Sequence, residues 1–224
     1  MSERPTLVNG YLGPQPLFSQ LGLSTKSHHE AEFETPENEF VIKMRATKPV
    51  KITSKVVSEA TGGESLERVF IQTRGEDVNL LVSLDKPGYH RLQVYALPAS
   101  DDNKQLPGVF NYLINCKSTP RKSRLFPKQF AQWKDGCILL EPFSLAGDSV
   151  KGDVTFRVVI PKAHAVAVTI GDDWTHLEPK ENSIWTGRVT NIEKYKGKGL
   201  NAVLNANFNE ADETIYSSLL QYTL

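Results

Sequence analysis

The sequence predicts an all-β protein made of two antiparallel β-sandwiches in tandem, and three observations carry that expectation. Apolar and polar residues alternate with period two along segment after segment, the pattern of a strand with one face buried and one face wet. Clusters of turn-forming residues, such as "ATGGES", "DKPG", "LAGDSVKGD" and "KYKGKG", interrupt those segments at short intervals. The order of segments also repeats. "EFVIKMRATKPVKITSKV" resembles "VTFRVVIPKAHAVAVTIG", and "RLQVYAL" followed by "LPGVFNYLINC" resembles "GLNAVLNANF" followed by "IYSSLLQYTL". The matched positions Phe40 and Val154, Val94 and Leu204, and Val109 and Ile215 stand 106 to 114 residues apart, a period of one sandwich domain.

Taken in order, "PQPLFSQLGL" holds one short helical turn, and no longer segment has a convincing 3.6-residue apolar period. Phe40, Ile42, Met44 and Ala46 share an inward face, with Lys43 and Arg45 outward. After Pro49 the pattern resumes, with Val50 and Ile52 inside and Lys51, Thr53 and Lys55 outside. Leu92, Val94 and Ala96 are in phase in the next long run, as are Val154, Phe156, Val158 and Ile160 in the second half. "GLNAVLNANFN" places Leu200, Ala202, Leu204, Ala206 and Phe208 inside and sends Asn201, Asn205, Asn207 and Asn209 to water. "KSTPRKSR", polar, basic and proline-containing, reads as a solvated linker. The expected organisation is therefore a tail over 1–16, a first sandwich over 17–116, a linker over 117–124 and a second sandwich over 125–224.

Composition narrows the function classes. Twenty-six basic residues balance 26 acidic ones, so no global field draws the chain to nucleic acid or an anionic membrane. No apolar run approaches the roughly 20 residues of a membrane span, and the first residues lack the basic-then-apolar pattern of a signal peptide. Two cysteines are too few for a disulfide framework or a cysteine-rich zinc site, so the thiols are expected reduced and the chain cytoplasmic.

Cys137, followed 39 residues later by His176 and 17 further by Glu193, has the residue order of a thiol hydrolase or transglutaminase. A nucleophilic thiol needs a helix N-terminus or a neighbouring imidazolium to lower its pKa. "CILLEP" instead reads as a buried strand, so Cys137 is expected in the core, as is Cys116 at the end of "YLINC". The adjacent His28 and His29 have no third ligand at metal spacing, and His164 is expected partly buried, so no cofactor or metal site is expected. Tyr89, in "DKPGYHRLQVYA", sits where a Greek-key corner is pinned by a tyrosine hydroxyl. Two surfaces remain as partner or ligand candidates. One is the lysine-rich outer face of Lys43, Lys51 and Lys55; the other is a platform of Trp174 and Trp185 for a carbohydrate or other small ligand.

The residues also carry a family resemblance. "GYLGPQPLFSQLGLSTKSHHEAEF" followed by "VIKMRA" and "VKITSKV" resembles the segment after the transglutaminase-like core in the kyphoscoliosis peptidase and hillarin family. "LFPKQFAQWKDGCILLEPFSLAGDSVKGDVTFRVVIPKAHAVAVTIGDDWTHLEP", with "IWTGRV", resembles the next repeat there. The resemblance implies immunoglobulin-like (transglutaminase C-terminal-like) sandwiches, no catalytic residues in this stretch, and protein partners of cytoskeletal filamin or septin type. The resulting expectation is a non-catalytic, cytoskeleton-associated interaction module. The family's catalytic residues lie in a core that no part of this chain resembles.

Overall fold

The computed structural model describes residues 2–224, which divide into two compact units after Arg124. The first unit contains β1 (Gly13–Pro14), β2 (Leu23–Thr25), β3 (Glu32–Thr35), β4 (Glu39–Ala46) and β5 (Val50–Ser58). It continues with β6 (Glu64–Ser65), β7 (Val69–Arg74), β8 (Asp77–Ser83), β9 (Gly88–Pro98) and β10 (Gly108–Cys116). One sheet runs β1-β10-β9-β5-β6, with β3 parallel to β10; the other runs β2-β4-β8-β7. Ile42, Met44, Leu80, Leu92, Val94, Ala96 and Tyr112 are all fully buried, so the alternation in the sequence is the alternation of the core. Burying one such side chain removes roughly 1.5–3 kcal/mol of apolar exposure cost. The expected helical turn is α1 (Pro16–Gln20), opened by proline where no backbone donor is needed. Its Phe18 meets Phe110 edge-on at 5.0 Å.

Residues 2–16, expected as a tail, are tied to this unit. Gly13 and Pro14 pair with Asn111 and Phe110, Arg4 makes a forked ion pair with Glu32, and the Asn111 side chain donates through Nδ2 to the Tyr11 carbonyl at 2.8 Å. Residues 117–124 are likewise no solvated linker. The Lys117 amide donates to the Thr35 carbonyl at 2.8 Å, and the Arg124 amide to the Ser83 hydroxyl at 2.7 Å. Between them, the Asn38 side chain, itself 0% exposed, accepts from the Arg121 amide at 3.0 Å. Its Nδ2 donates to both the Arg121 and Leu84 carbonyls at 2.9 Å. An extended, basic segment stays ordered because one buried amide side chain completes its backbone hydrogen bonding. Asn38→Ala leaves those groups unmatched and is expected to cost about 2–4 kcal/mol. Limited trypsin digestion reads this out: wild type resists cleavage between Lys117 and Arg124, and the variant is cut there.

The second unit contains β11 (Lys128–Gln129), β12 (Ile138–Glu141), β13 (Val154–Val159), β14 (Ala165–Ile170) and β15 (Asp173–His176). It ends with β16 (Glu178–Pro179), β17 (Ile184–Val189), β18 (Asn201–Asn207) and β19 (Ser217–Thr223). Its sheets run β11-β19-β18-β14-β15 and β12-β13-β17-β16. Strand for strand this is the order of the first unit, with β3 the only strand among the described residues that lacks a counterpart. The duplicated pattern in the sequence is therefore a duplicated topology.

Three side-chain expectations are corrected. Asn205 and Asn207 are 8% and 2% exposed rather than wet. Asn205 bonds Thr169 and Ser218 across neighbouring strands, and Asn207 donates to the Asp212 carbonyl. Ile215 does not match the buried Val109, because it precedes β19 and is 50% exposed. Tyr89 is only half-buried, and the tyrosines that pin backbone are Tyr112 and Tyr222. Their hydroxyls donate to the His28 carbonyl at 3.1 Å and the Pro142 carbonyl at 2.8 Å from equivalent last strands.

Candidate interaction surfaces

Trp174 stands on β15, the outermost strand of its sheet, and is 51% exposed. The strand forms because Gly171, at φ 58°, turns the chain after β14 and returns it antiparallel, with Thr169 opposite Trp174 and Ala167 opposite His176. Alternation sets Trp174 and His176 on one face, where their rings stack at 5.9 Å. Tyr216 approaches the indole edge-on at 5.1 Å. The strand ends at His176, and the next residue, Leu177, lies against Gly187 of the other sheet. A Cβ on Gly187 would lie 2.6 Å from the Leu177 side chain.

Trp185 does not join this cluster. It is 7% exposed on β17, opposite Val158 and Pro179 in the other sheet of the unit. The expected two-indole ligand platform therefore does not form, because one of its rings is core. The lysines are not one surface either. Lys43 lies on β4, in one sheet, whereas Lys51 and Lys55 lie on β5, in the other. The turn after Ala46 carries the chain across the sandwich, so alternation along the sequence changes sheets at that point. Lys51 donates to the Asp101 carbonyl, and Lys55 pairs with Glu64 at 2.7 Å over the Tyr95 ring. Beside Lys43, Glu76 and Asp77 pair with Arg45 and Lys26.

The thiols belong to the interior. Cys137 is 6% exposed and Cys116 1%. Burial, reinforced by Asp135, pushes the Cys137 thiol up to about 12. Burial also raises Cys116, partly offset by hydrogen bonding to the Ser118 backbone. Neither has the lowered pKa a nucleophile needs. No group of three or more His, Cys, Asp or Glu side chains converges to hold a metal ion among the described residues. No helix among them is long and apolar enough to cross a membrane.

Residues 8–127 match the family described as the KY-like, immunoglobulin-like domain. The chain belongs to this family. Across 98% of its length it is also 23% identical to the kyphoscoliosis peptidase of Mus musculus, and it spans 32% of that relative. The filamin domain of Lin-41 aligns over 47% of the chain and 97% of its own length, at 13% identity and a TM-score of 0.29.

His28 and His90 of this KY-like domain are packed into the fold. His28 packs on Phe33 at 4.7 Å, and burial, then the neighbouring His29, lowers its pKa. His164, expected partly buried, is exposed beside the turn into β14. His90 is 2% exposed on β9; its Nδ1–H donates to the Gly88 carbonyl at 3.1 Å, which leaves Nε2 buried without a hydrogen-bond partner. Burial lowers its pKa, with Gly88, Asp85 and Glu59 opposing and Arg68 adding to the fall. Above the unfolded value of about 6.5 the ring is neutral in both states. As pH falls through that value the unfolded chain takes up a proton that the folded chain refuses, so stability decreases. Between pH 7 and 5.5 the unfolding free energy of wild type, followed by urea titration, is expected to drop at a slope of at most about 1.4 kcal/mol per pH unit for each such histidine. His90→Gln, which keeps a donor for Gly88, is expected to flatten that fall; an unchanged slope would show that His90 does not carry it.

Proposed function

We propose that this chain is a non-catalytic protein-interaction module, cytoplasmic and associated with the cytoskeleton, of the kind that accompanies a transglutaminase-like peptidase core. One observation carries the reading: the thiols lie in the cores with raised pKa values, while the half-exposed Trp174 stands on a strand edge with the His176 and Tyr216 rings against it. A sandwich edge presents unpaired backbone donors and acceptors, and a partner strand completes them. The chain matches about a third of the mouse kyphoscoliosis peptidase, so in this reading the peptidase chemistry of that relative belongs to its remainder. Filamin- or septin-type partners follow from the family resemblance.

The test is to express the tagged chain in cultured muscle cells, extract with detergent and measure what pellets with the cytoskeleton. The expected result is enrichment of the chain over the tag alone, with no peptide hydrolysis or glutamine transfer by the purified protein. A chain found wholly in the supernatant, or turnover abolished by Cys137→Ala, overturns the proposal.

A further inference from the structure

The open edge of β15 differs from its counterpart in the first unit. That counterpart, β6, has two residues, Glu64 and Ser65, and no aromatic side chain. β15 has four, three of them exposed, and one is a tryptophan. Exposed sheet edges are ordinarily blunted by charge, proline or brevity. A half-exposed indole on the edge is the reverse of that protection.

Backbone register shows which groups the edge offers. The Leu177 amide donates to the Val166 carbonyl at 2.9 Å, so residues 166 and 177 are a hydrogen-bonded pair. Bonded and non-bonded pairs alternate along an antiparallel ladder. Residues 168 and 175, and 170 and 173, are then also bonded pairs, whereas Trp174 turns its amide and carbonyl away from β14. The His176 carbonyl is turned towards Gly187 of β17. The open donor–acceptor pair is therefore that of Trp174, the residue whose ring stands in the aromatic cluster.

Charge states what kind of strand fits. The segment 171–183, which carries Trp174 and His176, has four acidic residues against Lys180 alone. The segment 209–216, which brings Tyr216 to the indole, has three acidic residues and no basic one. Asp173 is held by the Tyr195 hydroxyl at 2.8 Å and approached by Lys194 at 3.8 Å. Glu178 is paired with Lys180 at 3.4 Å. The remaining carboxylates belong to the two segments that carry the rings, and a cation beside a tryptophan face in an acidic field is favoured twice over. The side chain directly opposite Trp174 on an added antiparallel strand would share its face and meet the indole.

We propose that the β15 edge binds an extended, basic segment of a protein partner by strand addition, pairing its backbone with Trp174 and seating an arginine or lysine against the Trp174, His176 and Tyr216 rings. This rests on the interaction-module reading and gives it a location and a partner chemistry.

The probe is a capped peptide of about nine residues, the length of a long strand, alternating valine and arginine. Its control replaces each arginine with glutamate. Binding to the full chain is followed by amide chemical shifts and hydrogen exchange. The arginine peptide is expected to shift and protect the Trp174 amide, and to bind at least tenfold more tightly than the glutamate peptide, the preference shrinking with added salt. Trp174→Ala removes the ring and keeps the edge. His176→Pro caps the edge without removing a β14 hydrogen bond. Each is expected to weaken binding tenfold or more, and the emission of the buried Trp133 and Trp185 reports that the variants remain folded.

Equal binding of the two peptides would overturn the basic-partner assignment. Binding that survives both substitutions would overturn the location while leaving the module reading intact. No binding by either peptide would overturn the inference, and the module reading would then stand or fall on cytoskeletal partitioning alone.

Discussion

In the native protein Cys137 is expected to react with iodoacetamide at neutral pH about a thousandfold more slowly than in denaturant. Alkylation requires the thiolate, and an unfolded cysteine with a pKa near 8.5 is a few per cent ionised at pH 7. Burial pushes the native thiol up to about 12, which lowers its ionised fraction by some three orders of magnitude. Limited access to a side chain 6% exposed slows the reaction further. Peptide mass mapping separates Cys137 from Cys116, whose thiol is also raised by burial. Rapid native alkylation with an apparent pKa below that of free cysteine would place Cys137 in an accessible, polarised site and return the Cys–His–acid order to consideration.

The second large effect concerns the core of residues 125–224. Phe156 is 0% exposed and meets the ring of Tyr222 edge-on at 5.6 Å. Phe156→Ala loses the transfer free energy of the ring and opens a cavity against that partner, a cost of about 3–5 kcal/mol. With a urea dependence of about 2 kcal/mol per molar, the unfolding midpoint of this unit should fall by about 2 M. All three tryptophans, Trp133, Trp174 and Trp185, lie in this unit, so indole emission reports its unfolding specifically. A shift below about 0.5 M would mean that the Phe156 site collapses around the missing ring.

What was legible in the sequence is what period two encodes. Ile42, Met44, Val94, Phe156 and Leu204 are buried because each strand turns one face to its sandwich core, and that requires no knowledge of the partner strand. The repeat was legible for the same reason. Surfaces were less so, because they depend on which sheet a strand joins. Lys43 and Lys51 sit eight residues apart in sequence on different sheets, and Trp185 is core because its strand lies opposite Val158 and Pro179. The pairing of Trp174 with His176 follows from their i, i+2 spacing, but Tyr216 arrives from 42 residues away and left no local signal. Residues 117–124 carry every compositional mark of a linker. Their order comes from Asn38, whose side chain reaches across 83 residues.

The most direct test of the account is to compare two variants for partitioning with the detergent-insoluble cytoskeleton. One is Cys116→Ser combined with Cys137→Ala, which removes both thiols. The other is Trp174→Ala combined with His176→Pro, which removes the aromatic edge. The thiol-free chain is expected to partition as wild type does, while the edge variant shifts to the supernatant. Loss of partitioning in a folded thiol-free chain, with retention in the edge variant, would contradict it.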